Sequence, residues 1–248
     1  MSASTVWKII EDRFATLQTD GLTCQVDLRH PNRGLLDIKL AGKPLVGLAP
    51  LQISATPPLS AGEQLEEAYV RGGDLVATYQ QGPGRSARPQ VYWRYLNHRE
   101  YGDAVEVLVS MQTDYLASDP RVYLSSEILC SSLLHLPSSG SESLETVKIK
   151  GESLELTPQD SLPLLLARGA ADAISYGEVI HPSDFAGAQV RRDGDGFRVE
   201  YQLFTESLEK GVIRRGRALG LFVSSSRDEE GARYWYRQLE GALPPLTT

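Results

Sequence analysis

Several features that would identify a chemistry are rare or missing in this chain of 248 residues. It has only two cysteines, Cys24 and Cys130, which are too few for a disulfide framework, and we expect both to be reduced thiols. Its four histidines are scattered without the spacing of zinc ligands, so we expect no metal and no cofactor. The sequence also lacks the G-x-S-x-G motif of serine hydrolases and the phosphate-binding P-loop. No local motif therefore identifies a reaction.

Long apolar runs and an excess of positive charge are missing as well. The longest apolar run, residues 162–167, contains Pro163 and is far too short to cross a bilayer. The N-terminus lacks the apolar core and cleavage site of a signal peptide. A formal net charge of -7 disfavours nucleic acid and anionic lipid as partners, because both bind cationic surfaces. We therefore expect a cytoplasmic protein that binds neither nucleic acid nor membranes.

Alternation of apolar and polar residues is the dominant pattern. The run LTCQVDL places four apolar side chains on one face of a predicted strand. Gly72-Gly73, between EEAYVR and DLVATYQ, predicts a tight hairpin because both glycines accept a positive φ. The turn at residues 193–196 separates AQVRR from FRVEYQLF in a second hairpin. Many such strands at short spacing predict an all-β fold, a large antiparallel β-sandwich of the supersandwich type, in one domain spanning residues 1–248.

Two short helices are predicted at the ends of this sandwich. Residues 5–18 carry apolar side chains at helical spacing, which predicts an N-terminal helix. Residues 226–229, Ser-Arg-Asp-Glu, match a capping box and predict the start of a C-terminal helix. That helix would bury Trp235 and Leu239 and end at Gly241.

The densest basic cluster contains Arg214, Arg215 and Arg217. On a strand, Arg215 and Arg217 share one face while Arg214 lies on the other. These side chains are either solvated strand residues or a clamp for an anion or for sugar hydroxyl groups.

Two loops or strand ends carry candidate catalytic groups. His181 precedes Pro182, Ser183 and Asp184, and imidazole exchanges protons near neutral pH, with a carboxylate close enough to orient it. The alternative is that Pro182 shapes a turn that Asp184 caps. Glu209 opens the last long strand and is a candidate general base, or else a surface partner of the neighbouring lysine.

The run QVYWRYLNHRE combines aromatic and polar side chains most densely. Alternation places Trp93 towards the core and Tyr92 and Arg94 on the opposite face, where they are candidate binding residues. Asn97 and His98 follow at the strand end, a position that often carries binding residues. Aromatic faces stack on the C–H surfaces of sugars while arginine and asparagine bind hydroxyl groups, so this cluster favours carbohydrate recognition.

The order of the strand runs resembles a known superfamily. DLVATYQ, QVYWRYL, AVEVLVSMQ and RVYLSSEIL, followed by HPSDFAGAQV, FRVEYQLF and LEKGVIRRGRALGLFV, are similar to the successive strands of a distant bacterial member of the galactose mutarotase-like β-sandwich superfamily. The resemblance covers most of residues 20–225 and implies a carbohydrate cleft on the concave sheet. The positions that match the cleft residues of the epimerases in type and order are Arg94, His98, His181, Asp184 and Glu209.

In a mutarotase-type reaction the resemblance implies that Glu209 takes the proton of the C1 hydroxyl group while His181 protonates the ring oxygen. We therefore expect a carbohydrate-recognising protein, related to the aldose epimerases, with a sugar or sugar derivative as its ligand. The lack of a catalytic motif leaves open a non-catalytic protein-interaction or assembly domain. The oligomeric state and the catalytic competence are left open by the sequence.

Overall fold

A computed structural model of the chain describes residues 6–56, 65–81, 87–139, 143–171 and 173–243. In these ranges it contains 21 strands and one α-helix, α1 (Asp228–Glu240). The strands are β1 (Trp7–Ile10), β2 (Phe14–Gln18), β3 (Leu22–Asp27), β4 (Leu35–Leu40), β5 (Lys43–Pro44), β6 (Leu48–Thr56), β7 (Leu65–Arg71), β8 (Asp74–Tyr79), β9 (Arg88–His98), β10 (Gly102–Gln112), β11 (Ala117–Ser118), β12 (Arg121–Leu129), β13 (Ser132–Pro137), β14 (Glu145–Thr146), β15 (Ser153–Leu156), β16 (Ser161–Ala171), β17 (Ile174–Ile180), β18 (Ala188–Asp193), β19 (Gly196–Gln202), β20 (Leu208–Glu209) and β21 (Arg214–Ser224).

The strands form antiparallel sheets that pack as a sandwich. The largest has nine strands in the order β14-β13-β16-β17-β21-β10-β9-β8-β7. Two five-stranded sheets, β1-β2-β3-β4-β5 and β15-β18-β19-β12-β6, contribute to the same apolar core as the nine-stranded sheet, and β11 pairs with β20 separately. The predicted all-β sandwich is confirmed. Cys24 and Cys130 are both buried and free in its interior.

The nine-stranded sheet has two different faces. Its inner face, which includes Val91, Trp93 and Val107, belongs to the core shared with the five-stranded sheets. On the outer face, Tyr92 and Leu108 form a separate small apolar cluster. The predicted division of β9 into a core face and an opposite face is therefore confirmed. Polar side chains of the outer face lie outside the core, where a site can form.

Helix α1 covers one part of this outer face. Trp235 and Leu239 pack on apolar side chains of β16, β17 and β21, including Leu219 and Leu221. The Trp235 Nε1–H group also donates to the backbone oxygen of Tyr101 at 2.9 Å. The predicted C-terminal helix is confirmed, and among the described residues no helix has the length and apolar character needed to cross a membrane.

The predicted capping box at the start of α1 is wrong. Residues Ser225–Arg227 form a 3-10 turn, and the Ser226 hydroxyl group lies 3.0 Å from that of Ser224 instead of capping the helix. The helix begins at Asp228, whose carboxylate accepts two hydrogen bonds of 2.8 Å from Arg168. This long-range ion pair ties the start of the helix to β16, and no side chain caps it.

The predicted N-terminal helix is also wrong. In the described part of residues 5–18 the chain forms the hairpin β1–β2, in which Trp7 pairs with Leu17. Glu11 and Asp12 both have φ 51°, the left-handed conformation that closes a tight hairpin turn. The apolar spacing fits a helix and a hairpin equally, but β2 extends the sheet through β3 and buries Leu17 completely. Tertiary packing thus decides between the two.

One carboxyl group lies in the interior of the sandwich. Glu178, on the inner face of β17, is 1% exposed, and it accepts hydrogen bonds from the hydroxyl groups of Ser126 and Tyr176. Burial raises the pKa of Glu178, and the hydroxyl groups of Ser126, Tyr176 and Tyr201 oppose that shift only in part. Folding therefore shifts this carboxyl group towards its protonated, neutral form.

The pKa shift of Glu178 predicts a pH-dependent stability. Because the folded pKa lies above the ordinary value of 4.5, its contribution is fully present below 4.5 and is lost as the pH rises towards the folded pKa. The loss has a limiting slope of about 1.4 kcal/mol per pH unit. We expect Glu178→Gln, which is neutral and of the same shape, to remove this slope in urea unfolding between pH 4.5 and 8 and to be more stable than wild type at pH 8. A variant with an unchanged pH profile would contradict the assignment.

Candidate functional site

A charged cluster occupies the middle of the outer face. The register places Asp74, Arg94 and Glu106 side by side on β8, β9 and β10. Arg94 donates to both carboxylate oxygens of Asp74 at 2.7 Å and approaches Glu106 at 3.5 Å. Burial raises the pKa of Glu106, opposed by the positive charges of Arg94 and Arg217. The guanidinium of Arg94, a predicted binding group, is thus committed to two protein carboxylates.

Arg217 and His181 hold the C-terminal end of α1 against the same face. Arg217, which is 3% exposed, donates from Nη1 to the backbone oxygen of Ala242 at 3.0 Å. His181 forms a hydrogen bond with the backbone of Glu240 through its ring. Its Nδ1 accepts the Ser183 N–H group at 3.2 Å, so we assign the ring proton to Nε2. Burial, followed by the charge of Arg217, lowers the pKa of His181 and keeps the ring neutral near pH 7.

His181 and Asp184 are brought together by the residue between them. The Ser183 hydroxyl group lies 2.7 Å from His181 Nδ1 and 2.7 Å from Asp184 Oδ1. The other carboxylate oxygen of Asp184 accepts the backbone N–H of Arg217 at 2.9 Å. Pro182–Asp184 form a 3-10 turn, as the alternative interpretation predicted, but the side chain of His181 caps it and Asp184 does not. The same 3-10 turn thus holds the side chain of Ser183 within hydrogen-bonding distance of those of His181 and Asp184.

Two other predicted binding residues lie apart from Tyr92 and Arg94. Asn97 donates to Asp103 Oδ1 at 3.1 Å, on the inner side of the sheet, because alternation turns it away from Arg94. His98 stacks on Tyr101 with a ring-centroid distance of 4.8 Å and lies 4.5 Å from the ring of Tyr234 on α1. Both side chains are engaged by the protein, and a role of either in binding stays a prediction.

Glu209 lies on the small two-stranded sheet. It pairs in register with Ala117 of β11, and its side chain is exposed. The backbone oxygen of Glu209 accepts the N–H of Val212 at 3.0 Å, which turns the chain towards β21. Its role as a base stays a prediction, because neither Glu209 nor His181 lines the two cavities described next.

Two cavities open at one end of the nine-stranded sheet. The smaller, of about 270 Å³, lies over β8, β9 and β10 and is lined by groups that include Tyr69, Thr78, Arg88, Gln90, Tyr92 and Ser110. The larger, of about 490 Å³, lies between the turn after β17 and the start of β21, and its lining includes Ser183, Asp184, Glu206, Arg214 and Arg215. Ile213 lines both cavities, and Ser110 is the register partner of Arg215. The larger cavity is also lined by Leu203 and Phe204 of the core, so it opens at the end of the sandwich. We call these two neighbouring cavities together the outer groove.

The floor of the smaller cavity is a preorganised polar network. The Tyr92 hydroxyl group donates to Gln90 Oε1 at 2.5 Å, and Gln90 Nε2 donates to the Thr78 hydroxyl group at 2.9 Å. Neighbouring Ser110 contributes a further hydroxyl group to the lining that it shares with Tyr69 and Tyr92. Among the described residues, no group of three or more histidine, cysteine, aspartate and glutamate side chains is arranged to hold a metal ion.

Comparison with known proteins supports the fold. No family model and no curated protein matches the chain. A Klebsiella pneumoniae structure provisionally described as an aldose 1-epimerase matches with a TM-score of 0.58 at 13% identity, over 95% of this chain and 87% of that chain. A Salmonella typhimurium structure provisionally described as a mutarotase gives 0.56 at 8% identity, over 88% and 93%. The chain has the galactose mutarotase-like fold.

The same fold appears in an Escherichia coli structure that is also provisionally described as an aldose 1-epimerase. Its TM-score is 0.55 at 8% identity, and the match covers 84% of this chain and 98% of that chain. At these identities the likeness concerns the fold alone. The resemblance predicted from the order of the strands is confirmed at that level. Chemistry has to be argued from the side chains of the outer face.

Sequence analysis missed several polar residues of this face. Gln90, Thr78 and Ser110 carry no motif, and only their register across adjacent strands brings them together. Glu106 had one available signal, since it is the only charged side chain within the apolar run AVEVLVSM. Such a residue on a central strand requires a buried partner, which the structure supplies as Arg94.

Proposed function

We propose that this protein recognises a carbohydrate in the outer groove. The observation that carries the proposal is the network of Tyr92, Gln90 and Thr78 on the floor of the smaller cavity. Amide and hydroxyl groups both donate and accept, as a sugar hydroxyl group does, and their mutual hydrogen bonds hold them in position before a ligand arrives. The half-buried ring of Tyr69 offers apolar contact for the C–H surface of a sugar ring, while the buried Tyr92 contributes its hydroxyl group.

The size and the fold both support this proposal. Ligand sites in proteins occupy about 300–1,000 Å³; the larger cavity, of about 490 Å³, lies in this range, and the smaller, of about 270 Å³, has the mainly polar lining that suits a ligand rich in hydroxyl groups. Three structures of the same fold are provisionally described as aldose 1-epimerases or mutarotases, names that refer to sugar chemistry.

Binding is tested by a thermal-shift and calorimetry panel of neutral sugars and sugar acids. A ligand at about 100 times its dissociation constant adds roughly 2.7 kcal/mol to the free energy of unfolding. We expect Gln90→Ala to weaken the binding of a stabilising sugar by at least tenfold, or about 1.4 kcal/mol, because it removes two groups of the network. Gln238→Ala, on the exposed side of α1, is the matched control and should bind like wild type. Equal binding by both variants would remove the smaller cavity as the site.

A mutarotase-type epimerase is the second candidate function. The hydrogen-bonded chain of His181, Ser183 and Asp184 at the rim of the larger cavity favours it, because such a chain can move a proton. When the His181 ring is protonated on both nitrogens, its Nδ1 proton would pass to the Ser183 hydroxyl group, 2.7 Å away, as that hydroxyl group gives its own proton to a sugar bound in the cavity that Ser183 lines. Glu209 lines neither cavity, so in this proposal it would accept the proton of the C1 hydroxyl group only from a sugar that extends beyond the cavity lining towards β20.

A further inference from the structure

The outer groove is longer than a single sugar ring. Thr78, Gln90, Ser110 and Arg215 form one register row across β8, β9, β10 and β21, and they line the two cavities in that order. Adjacent strands lie about 4.8 Å apart, so this row spans about 14 Å, and the turn that carries Ser183 extends the groove beyond it. A pyranose ring is of the order of one strand spacing across. One monosaccharide would therefore occupy only part of the groove.

The two cavities are neighbours that share one lining residue. Ile213 lines both, and Arg215 in the larger cavity is the neighbour of Ser110 in the smaller one. The positive charge of Arg215 also acts on the Tyr92 hydroxyl group, since it opposes the rise in the pKa of Tyr92 that burial causes. Arg215 therefore lies within electrostatic reach of groups in both cavities, at the point where a ligand would pass from one to the other.

Charges along the groove are balanced. Arg214 pairs with Glu206 at 2.5 Å in the larger cavity, and Arg88 pairs with Glu66 at 2.7 Å beside the smaller one. The larger cavity holds Asp184 in addition to Arg215. A groove in which cations and anions occur together favours a ligand without net charge, because an anionic sugar would meet the carboxylates as well as the guanidinium groups.

Exposed apolar side chains lie near Ile213, which lines both cavities. Ile213 is 49% exposed and Val212 41% exposed, and Lys210 and Gly211 separate them from the end of β20. Leu116, which is 87% exposed, is held near them because its backbone oxygen accepts the N–H of Lys210 at 3.4 Å. Grouped exposed apolar side chains beside a polar groove mark surface that a ligand covers. The ring faces of an extended glycan offer the matching C–H surface.

We infer that the outer groove takes a neutral oligosaccharide, with at least about three sugar rings in contact with the protein, in preference to a free monosaccharide. The inference rests on the proposed carbohydrate recognition and adds the class of ligand. The row from Thr78 to Arg215 binds hydroxyl groups of successive rings, and Ile213 contacts the ring that lies between the two cavities.

The test is calorimetric titration with glucose and with linear gluco-oligosaccharides of two to five units, in both the α-1,4 and the β-1,4 series. We expect the dissociation constant to fall at least tenfold from one unit to three and then to level off. Because Ile213 lines both cavities, Ile213→Ser should weaken the binding of glucose as well, but it should weaken the binding of the trisaccharide much more and so abolish most of this gain. Val46→Ser, at an aliphatic residue 74% exposed on the segment after β5, is the matched control and should keep the gain.

The possible results separate the two proposals. Binding of glucose with no gain in affinity on lengthening the chain would overturn the inference and leave carbohydrate recognition standing. Tighter binding of oligogalacturonides than of the neutral series would overturn the neutral class. Failure of every monosaccharide and oligosaccharide to bind would overturn both the inference and the proposed function.

Discussion

Replacing His181 by alanine is expected to slow the interconversion of sugar anomers by about 10²–10⁴-fold, the usual contribution of one general acid or base. In the mutarotase-type proposal His181 protonates the ring oxygen while Glu209 accepts the proton of the C1 hydroxyl group. Glu209→Gln should therefore cause a loss of the same order, because the amide retains the shape of the side chain and cannot accept that proton. Polarimetry on freshly dissolved α-anomers measures both variants against wild type.

The pH profile provides an independent check on the role of His181. An acid must be protonated to act, and burial together with the charge of Arg217 lowers the pKa of this imidazole below 6.5. The rate should therefore decrease as the pH rises through a value below 6.5, and this limb should be absent in His181→Ala. Turnover that is unchanged in both His181→Ala and Glu209→Gln would remove the mechanism, while binding measured with Gln90→Ala would still decide carbohydrate recognition.

Truncating Trp235 to alanine is expected to lower the free energy of unfolding by about 3–5 kcal/mol, the usual cost of removing a buried tryptophan. Trp235 is 4% exposed between α1 and the outer face, and it donates a hydrogen bond to the backbone oxygen of Tyr101. Urea unfolding followed by circular dichroism measures the effect. Gln238→Ala, an exposed substitution on the same helix, should change stability by less than about 0.5 kcal/mol.

Helix α1 also distinguishes a carbohydrate-recognising protein from a protein-interaction or assembly domain. If α1 were a docking element for a partner, its removal would leave the sandwich folded and abolish association. The packing of Ala232, Trp235 and Leu239 on the outer face predicts the opposite, because their loss exposes apolar side chains of β16, β17 and β21. If Trp235→Ala lowered the free energy of unfolding by less than about 1 kcal/mol and also changed the oligomeric state seen by size-exclusion chromatography, the assembly domain would be favoured instead.

Arg217 and His181 show how the helix affects the candidate chemistry. Both hold the chain just beyond α1, through the backbone oxygen of Ala242 and the backbone of Glu240. A charged residue and an imidazole that are easily taken for substrate ligands in the sequence thus have protein partners in the structure. This is why the outer groove, rather than the set of titratable residues, carries the proposed function.

Local pattern was sufficient for much of the fold. Alternation in β9 correctly divided Tyr92 from Trp93, because a strand turns successive side chains to opposite faces whatever it packs against. Gly72-Gly73 correctly predicted the β7–β8 hairpin, since the pairing of Arg71 with Asp74 leaves those two residues as the loop. Such features depend on neighbours in sequence, so one chain is enough to predict them.

Tertiary structure decided what local pattern left open. Residues 6–18 satisfy a helix and a hairpin alike, and only the pairing of β2 with β3 selects the hairpin. Asn97 and Arg94 are three residues apart, yet the sheet separates them, while Gln90 and Arg215 come within two strands of each other. By itself the sequence determined the all-β class, the faces of its clearest strands and the C-terminal helix. The outer groove depends on strand order and register, which arise from the simultaneous packing of distant segments and have no signal in any single one of them.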